Sequence, residues 1–401
     1  MISNNLILKN NINLKKLKGV LSKKFEKIFL NIEVDIENNK KTINILNNKF
    51  KFNFKTKDLK KFKKFKTIAL IGMGGSILGA EAIYNFLQKK IKKKIYFFDN
   101  LDEDKIDEFK KKEKNSKVLF LVISKSGNTI ETLSNTFLLN IIKKNAKNVI
   151  LITEKKDNLL FLLSKKFNLF YIEHNTNIGG RYSVLSEVGI VPAYLMGVNI
   201  LRLRSEILES FTKKSKFFLK DSTTKLAKMM ISKKINTLVF LNYSLELEKF
   251  LYWCQQLIAE SLGKKNKGFL PLISNVPKDH HSLLQLYLDG PKDKIFYIFS
   301  VEKKSKEKID MQNIKNLNAY LNKKKLTTVK EAQKVALIRA FKKKNIPFRE
   351  FKVKKIDEKV LGKLFSLFIC ETIILGKLIN INPFDQPAVE QIKIFTKQEL
   401  S

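Results

Sequence analysis

The chain has 401 residues, of which 44% are apolar and 29% are charged. This apolar fraction is high enough to build folded cores, so the composition excludes a disordered chain. Cys254 and Cys370 lie far apart and form no Cys-x-x-Cys motif, which excludes a disulfide framework and a cysteine zinc site. We expect a soluble, cytoplasmic protein, because we find no signal-peptide stretch near the start and no long uninterrupted apolar segment.

The net charge of +40 comes from 78 Lys and Arg residues against 38 Asp and Glu residues. Such an excess is typical of proteins that bind nucleic acids or anionic surfaces. Only five of the basic residues are arginine, whereas proteins that read bases and phosphates favour the bidentate guanidinium. The scattered lysines stand beside many Asn, Ile and Phe residues, which indicates a genome poor in G and C. We therefore expect no specific nucleic-acid partner and no membrane partner, although the positive field attracts small anions.

Residues 1–60 are rich in Lys and Asn with weak helical periodicity, and we interpret them as a peripheral lead-in. Residues 61–210 alternate short β-branched or aromatic runs with helical stretches, a pattern that predicts βαβ units around a parallel sheet. The predicted strands begin at Thr67, Ile95, Val118, Val149 and Leu169, and the predicted helices are Ile77–Gln88 and Thr129–Lys143.

A long helical region is predicted next, from about Tyr182 to Lys233. The alternation then restarts, so that residues 211–380 form a second α/β unit and residues 381–401 end the chain as a helix. The predicted strands of this unit are Thr237–Leu241, Ile295–Val301 and Phe348–Val353, and its helices are Leu245–Leu262, Val329–Lys344 and Glu358–Ile379. The fold class is therefore α/β, with two doubly wound αβα sandwich domains and mostly parallel sheets.

The first predicted strand runs into the glycine-rich segment 72–76 (GMGGS), and a helix begins at Ile77. Glycines at a strand-to-helix turn let the backbone approach an anion, and the helix N-terminus offers free N–H groups. A dinucleotide fingerprint needs a third glycine where Ile77 stands, and a P-loop needs Gly-Lys-Ser/Thr. The turn is either a tight structural turn or a site for an anion or a sugar.

The strand that begins at Val118 ends in the segment 124–129 (SKSGNT), directly before a predicted helix. Hydroxyls and a lysine at this position present many hydrogen-bond donors to a phosphate. The alternative is a helix cap, since Ser, Thr and Asn cap helices well. Because a cap needs only one such residue, we favour a phosphomonoester site.

Four further residues are candidates for chemistry. Arg181 follows a diglycine in a chain that uses lysine almost everywhere. This choice of residue favours a role for its rigid, bidentate guanidinium over a solvated position. Histidine occurs three times in the chain, and the adjacent His280 and His281 indicate acid–base work or a structural role. Glu260 ends an otherwise apolar helix, whose side chains would partly desolvate a carboxylate that acts as a general base.

Six segments together resemble the glucose-6-phosphate isomerase family, in its short bacterial type. In chain order, between about residues 67 and 395, they are IGMGGSILGA, VISKSGNTIET, GGRYSVLSEVGIVPA, AESLGK, HHSLLQLYLDGP and NPFDQPAVEQIK. Each segment alone is weak evidence for the family, but six segments in the family's order are specific evidence. The resemblance implies two sugar-isomerase (SIS) domains with the active site between them, usually completed across a homodimer.

The resemblance also implies roles for individual residues. The sugar phosphate would be held by Gly75, Ser76, Ser124, Lys125, Ser126 and Thr129, with Gln256 and Gln386 lining the same pocket. Glu260 would move a proton between the first two carbons, and Arg181 would steady the enediolate. His281, from the neighbouring subunit, and Lys393 would open the sugar ring. This chain has Ala388 and Ile392 where the family usually has glycines.

The implied activity is the glycolytic and gluconeogenic interconversion of glucose 6-phosphate and fructose 6-phosphate, through ring opening and a cis-enediol intermediate. No cofactor and no metal are implied. An alternative from another class is a non-catalytic sugar-phosphate sensor, which would keep the phosphate turn but would not need the distant Glu260, His281 and Lys393. Activity on mannose 6-phosphate is left open by these motifs.

Overall fold

The computed structural model describes residues 5–14, 19–311 and 319–400, which contain two five-stranded sheets. The strands are β1 (Leu6–Asn11), β2 (Thr67–Ile71), β3 (Lys94–Phe98), β4 (Val118–Ile123), β5 (Val149–Thr153), β6 (Phe170–Glu173), β7 (Thr237–Asn242), β8 (Leu270–Asn275), β9 (Lys294–Val301) and β10 (Phe348–Val353). The helices are α1 (Val20–Glu37), α2 (Thr56–Leu59), α3 (Leu78–Leu87), α4 (Glu103–Lys112), α5 (Ile130–Leu138), α6 (Leu159–Lys166), α7 (Glu187–Met196), α8 (Ile200–Arg204), α9 (Lys213–Ser232), α10 (Glu248–Leu262), α11 (His280–Asp289), α12 (Leu326–Lys343), α13 (Glu358–Leu378) and α14 (Ala388–Glu399).

The first sheet has the order β3-β2-β4-β5-β6, and all of its neighbouring strands are parallel. Its residues alternate between two cores, so that Ile68 and Leu70 lie in one core and Ala69 and Ile71 in the other. Burial on both faces explains why these strands are continuous apolar runs in the sequence. The predicted doubly wound parallel sheet is confirmed here.

The second sheet has the order β1-β10-β9-β7-β8, with β1 antiparallel to β10 and the other pairs parallel. The expectation that residues 1–60 are peripheral is wrong for the described part. Leu6 and Leu8 of β1 and Phe25 and Phe29 of α1 are buried in the main core. The lysines and asparagines of this segment lie between those apolar positions and conceal the pattern. The domain bounds at residues 61, 211 and 381 stay predictions.

The predicted strands are confirmed, and the sequence reading missed β1 and β8. The predicted helical region from Tyr182 to Lys233 is instead divided into α7, α8 and α9 with short 3-10 turns. Gly197 (φ +92°) ends α7 in a left-handed conformation, which glycine adopts at little cost. The helix predicted over Thr129–Lys143 ends at Leu138, because Asn140 takes a positive φ. Among the described residues, no helix combines the length and the apolar character needed to cross a membrane.

The core of the second sheet contains an ion pair. Arg349 on β10 is fully buried, and its two terminal nitrogens donate to the two carboxylate oxygens of Glu371 on α13 at 2.7 and 2.8 Å. The Arg349 guanidinium also donates to the hydroxyl of Tyr297 at 2.7 Å. Because both charges are removed from water, each depends on the other to stay inside the protein.

We expect Glu371→Gln to lower the free energy of unfolding by about 3–5 kcal/mol, because it leaves a buried guanidinium without a counter-charge. Urea unfolding followed by circular dichroism measures this change. The control is Asp107→Asn, which breaks an exposed ion pair to Lys110 at 3.7 Å and should cost less than about 1 kcal/mol. Equal losses in the two variants would contradict the prediction.

His174 follows β6 and is 1% exposed. Its Nδ1 lies 2.9 Å from the carbonyl oxygen of Asn175, and burial lowers the pKa of His174 to about 4. A histidine in an unfolded chain has a pKa of about 6.5. Between these two values the unfolded state therefore binds a proton that the folded state does not, so stability falls as the pH falls from about 6.5 to about 4.

We expect His174→Gln to remove this part of the pH dependence, worth roughly 3 kcal/mol at most over the window. The measurement is urea unfolding of wild type and variant at several pH values between 4 and 7. The difference between the two curves should change with pH in that window. Parallel curves would show that the buried imidazole does not control stability in acid.

Candidate active site

Two glycine-rich loops are in direct contact at the centre of the molecule. The turn after β2 holds Gly75, and a Cβ added there would lie 2.2 Å from the carbonyl carbon of Gly180 and 2.5 Å from the backbone nitrogen of Arg181. Gly74 has φ +51°, and a Cβ there would lie 2.7 Å from Nε2 of Gln256. Side chains at these positions would force the loops apart. The glycines therefore bring the backbone of the first unit against Arg181 and α10.

Arg181 lies between these loops and is 2% exposed. Its Nε donates to the hydroxyl of Ser261 at 2.8 Å. Its Nη1 donates to Oε1 of Gln386 at 2.7 Å and to Oε2 of Glu260 at 3.2 Å. The interpretation of Arg181 as a solvated arginine is thus excluded, and the structure brings together three residues that the sequence reading had placed in one site.

The same guanidinium also fixes the segment before α14. Its Nη2 donates to the carbonyl oxygens of Pro383 at 2.7 Å and of Asp385 at 3.0 Å. The hydroxyl of Tyr182 donates to the carbonyl of Pro383 at 2.8 Å and lies 2.8 Å from the hydroxyl of Ser261. Tyr182 and Ser261 were missed in the sequence, although each is the direct neighbour of a residue that was selected.

Glu260 is the acidic group of this cluster. Gln256 precedes it by one helical turn on α10, so both side chains lie on the same face. Gln256 Nε2 donates to Glu260 Oε1 at 2.8 Å, while Arg181 holds the other carboxylate oxygen. The Glu260 side chain is still 34% exposed and borders a cavity of about 840 Å³ that Gln386 also lines. The carboxylate is held at both oxygens and stays accessible.

The loop after β4 carries the predicted phosphate ligands. The hydroxyl of Thr129 lies 2.9 Å from that of Ser124 and 3.4 Å from that of Ser126. The backbone N–H of Gly127 donates to the Ser124 hydroxyl at 3.2 Å. Thr129 is the N-cap residue of α5, but its side chain accepts no hydrogen bond from the helix. The hydroxyls contact one another rather than cap the helix, which favours an anion site over the capping alternative.

Lys125, also predicted as a phosphate ligand, contacts other parts of the protein in this structure. Its ammonium donates to the carbonyl oxygens of Thr176 at 3.1 Å and Ile178 at 3.0 Å, and it lies 3.6 Å from Glu154. Burial lowers the pKa of Lys125. The ammonium thus joins the serine-rich loop to the segment that leads to Arg181.

Two predicted catalytic residues lie apart from this cluster. His281 is exposed in the first turn of α11, and the exposed Lys393 on α14 pairs with Glu390 at 2.7 Å. Within residues 5–14, 19–311 and 319–400, neither has a hydrogen bond or ion pair to Arg181 or Glu260. In the same ranges, no group of three or more His, Cys, Asp or Glu side chains has the arrangement of a metal site.

Comparison with solved structures identifies the fold. The structure superposes on a hypothetical protein from Thermus thermophilus with a TM-score of 0.80 and 23% identity, covering 95% of this chain and 96% of that one. A glucose-6-phosphate isomerase from Chlamydia trachomatis gives a TM-score of 0.71 at 20% identity, covering 97% of this chain and 76% of that one. At these identities the likeness concerns the fold.

Sequence comparison identifies the family. The glucose-6-phosphate isomerase of Methanocaldococcus jannaschii is 34% identical over 353 residues, covering 84% of this chain and 85% of the relative. That of Campylobacter jejuni is 31% identical over 353 residues, covering 84% and 86%. The sequence profile of the family described as Phosphoglucose isomerase matches residues 31–400. This chain, whose loops meet at Arg181, therefore belongs to the phosphoglucose isomerase family.

Proposed function

We propose that this chain interconverts glucose 6-phosphate and fructose 6-phosphate through a cis-enediol intermediate. One observation carries the proposal: the buried Arg181 holds one oxygen of an accessible Glu260 carboxylate, and Lys125 joins the hydroxyl-rich loop after β4 to the segment before Arg181. This arrangement supplies a base, a fixed positive charge and an anion site in one place. The curated relatives, which bear the name glucose-6-phosphate isomerase, support the choice of substrate.

Glu260 is the base in this proposal. An aldose–ketose isomerisation removes a proton from one carbon and returns it to the neighbouring carbon on the same face of a planar enediol. One carboxylate performs both transfers if it is held in place, and Gln256 and Arg181 hold Glu260 from two sides. The Arg181 guanidinium then stabilises the negative charge that develops on the substrate oxygen.

The phosphate lies, in this proposal, between the two loops that follow β2 and β4. Ser124, Ser126 and Thr129 supply hydroxyl donors, and the start of α5 supplies backbone N–H groups. Gly75 and Ser76, in the turn after β2, form the opposite side of the site. Binding the remote phosphate orients the reacting carbons without contact to them.

Ring opening needs an acid–base pair beyond these residues. We place it on Lys393 and on His281 of the partner subunit, in a homodimer with shared active sites. His281 is exposed and has no hydrogen bond to the Arg181 cluster within the described part of its own chain, which supports this arrangement. The proposal also includes a cytoplasmic location and a role in glycolysis and gluconeogenesis.

The decisive experiment is an assay of fructose 6-phosphate conversion by the purified protein in deuterated water, with mannose 6-phosphate in parallel. We expect glucose 6-phosphate to form with deuterium at its second carbon, since the base exchanges its proton with solvent. Saturable sugar-phosphate binding without turnover would instead support the sensor function. Conversion of mannose 6-phosphate would extend the substrate range.

We expect Glu260→Gln to lower kcat at least about 100-fold with little change in substrate affinity, because the amide keeps the size of the side chain but cannot accept the proton. Steady-state kinetics and substrate titration measure the two quantities. The control is Glu248→Gln at the start of the same helix, where the carboxylate accepts from Asn275 at 2.7 Å. A Glu260→Gln enzyme with wild-type kcat would exclude Glu260 as the base.

We expect Thr129→Val to raise KM about tenfold with a smaller change in kcat, because a hydroxyl donor to a charged phosphate is worth roughly 1.5–3 kcal/mol. Thr132→Val on the same helix is the matched control, since the buried Thr132 hydroxyl has no hydrogen-bond partner in the described part of the chain. It should leave KM unchanged. Equal KM values for the two variants would show that the substrate phosphate does not bind at this loop.

A further inference from the structure

A cleft of about 850 Å³ opens at the carboxyl end of the second sheet. On one side it is lined by Tyr243 and Ser244, which follow β7, and by Ser300 and Val301 at the end of β9. The first three turns of α12 form its other side. We call it the second-sheet cleft. Its volume is in the range of small-molecule sites.

The cleft has the same position in the second sheet as the candidate phosphate loops have in the first sheet. In the first sheet, β2 lies between β3 and β4, so the chain crosses back over β2 on its way to β4. In the second sheet, β7 lies between β8 and β9, and the chain crosses back over β7 in the same way. Doubly wound sheets bind ligands outside the carboxyl ends of the strands at such a switch point.

The charge of the cleft favours an anion. Its ionisable lining residues are the basic Lys303, Lys330, Lys334, Arg339 and Lys352 and the acidic Glu302 and Glu331. The two acidic groups are already neutralised, because Glu331 pairs with Lys334 at 2.8 Å and Glu302 with Lys352 at 3.2 Å. Lys303 pairs with Glu246, which does not line the cleft.

The basic groups left over are Lys330 and Arg339 on α12. Neither side chain has a hydrogen bond or an ion pair within the described ranges of the chain. Lys334 stands between them, with a side chain that is 7% exposed and an ammonium 3.2 Å from the hydroxyl of Ser300. The two unpaired cations create a positive field inside the cleft.

Neutral donors complete the lining. Thr327 and Thr328 lie in the first turn of α12, whose N-cap residue, Lys325, makes no side-chain capping bond. The backbone N–H of Thr328 donates to the carbonyl oxygen of Lys325 at 2.9 Å, which leaves that of Thr327 available at the cleft within the described part of the chain. The backbone N–H of Val301 donates to the Ser244 hydroxyl at 2.9 Å, which fixes the ends of β7 and β9 relative to each other.

We propose that the second-sheet cleft is a binding site for a small phosphorylated molecule, distinct from the candidate active site. Lys330, the threonines and the N-terminus of α12 donate to the phosphate oxygens, and Arg339 adds a positive charge further along the helix. The lining of the cleft shares no residue with that of the cavity beside Glu260, so its ligand is an effector and not the substrate. The proposal does not depend on the reaction that Glu260 performs.

The test is calorimetric titration of the full chain with inorganic pyrophosphate at fixed ionic strength. We expect wild type to bind at two sites per chain. Lys330→Gln combined with Arg339→Gln should weaken one of them at least about tenfold, with unchanged fructose 6-phosphate turnover. Ser124→Ala combined with Thr129→Val should remove the other site.

The matched control is Lys342→Gln combined with Lys343→Gln, which makes the same change in charge at the far end of α12, outside the cleft. This control should keep both sites. Equal weakening in the control would show that pyrophosphate follows the net charge and would overturn the proposal. A single site in wild type that is lost with Ser124 and Thr129, or no binding at all, would also overturn it.

Discussion

The candidate site depends on the hydrogen bonding of one buried guanidinium. Arginine has five N–H donors in a rigid plane, and in Arg181 they reach the Ser261 hydroxyl, the Glu260 and Gln386 side chains and two backbone carbonyls of the 383–385 segment. A buried charge is tolerated only when its donors are satisfied. The loop before α7, the end of α10 and the segment before α14 must therefore all be in position together. Lysine has only three donors and could not join these parts.

The two glycine-rich loops make this arrangement possible. Gly75 lets the first unit lie against the backbone of Arg181, and Gly74 does the same for the amide of Gln256. The glycine turn, which the sequence left open between a structural and a binding role, therefore has at least the structural one. Its packing places the turn after β2 beside Gln256, which donates to Glu260.

The sequence predicted the fold well because most strands are buried on both faces and are therefore continuous apolar runs, as in β4. It missed β1, an edge strand whose apolar run is only three residues long before a lysine and two asparagines, and β8, which contains Pro271. In the site, the rarity of arginine was enough to select Arg181. The carbonyl oxygens that complete its shell have no signature in the sequence, because every residue has one. The second-sheet cleft was missed because most of its cations are lysines among many, and Arg339 lies in no motif that singles it out.

The edge strand β1 also has a consequence for how the chain reaches its native state. Leu6 pairs with Val353 and Asn11 with Phe348, so almost the whole polypeptide lies between the two partners. A ribosome that releases the chain from its N-terminus delivers β1 long before β10 exists. The parallel β7–β10 core can assemble only late, and pairings this distant in sequence slow folding. Until then, the apolar positions of β1 stay exposed on the nascent chain, where a chaperone can recognise them.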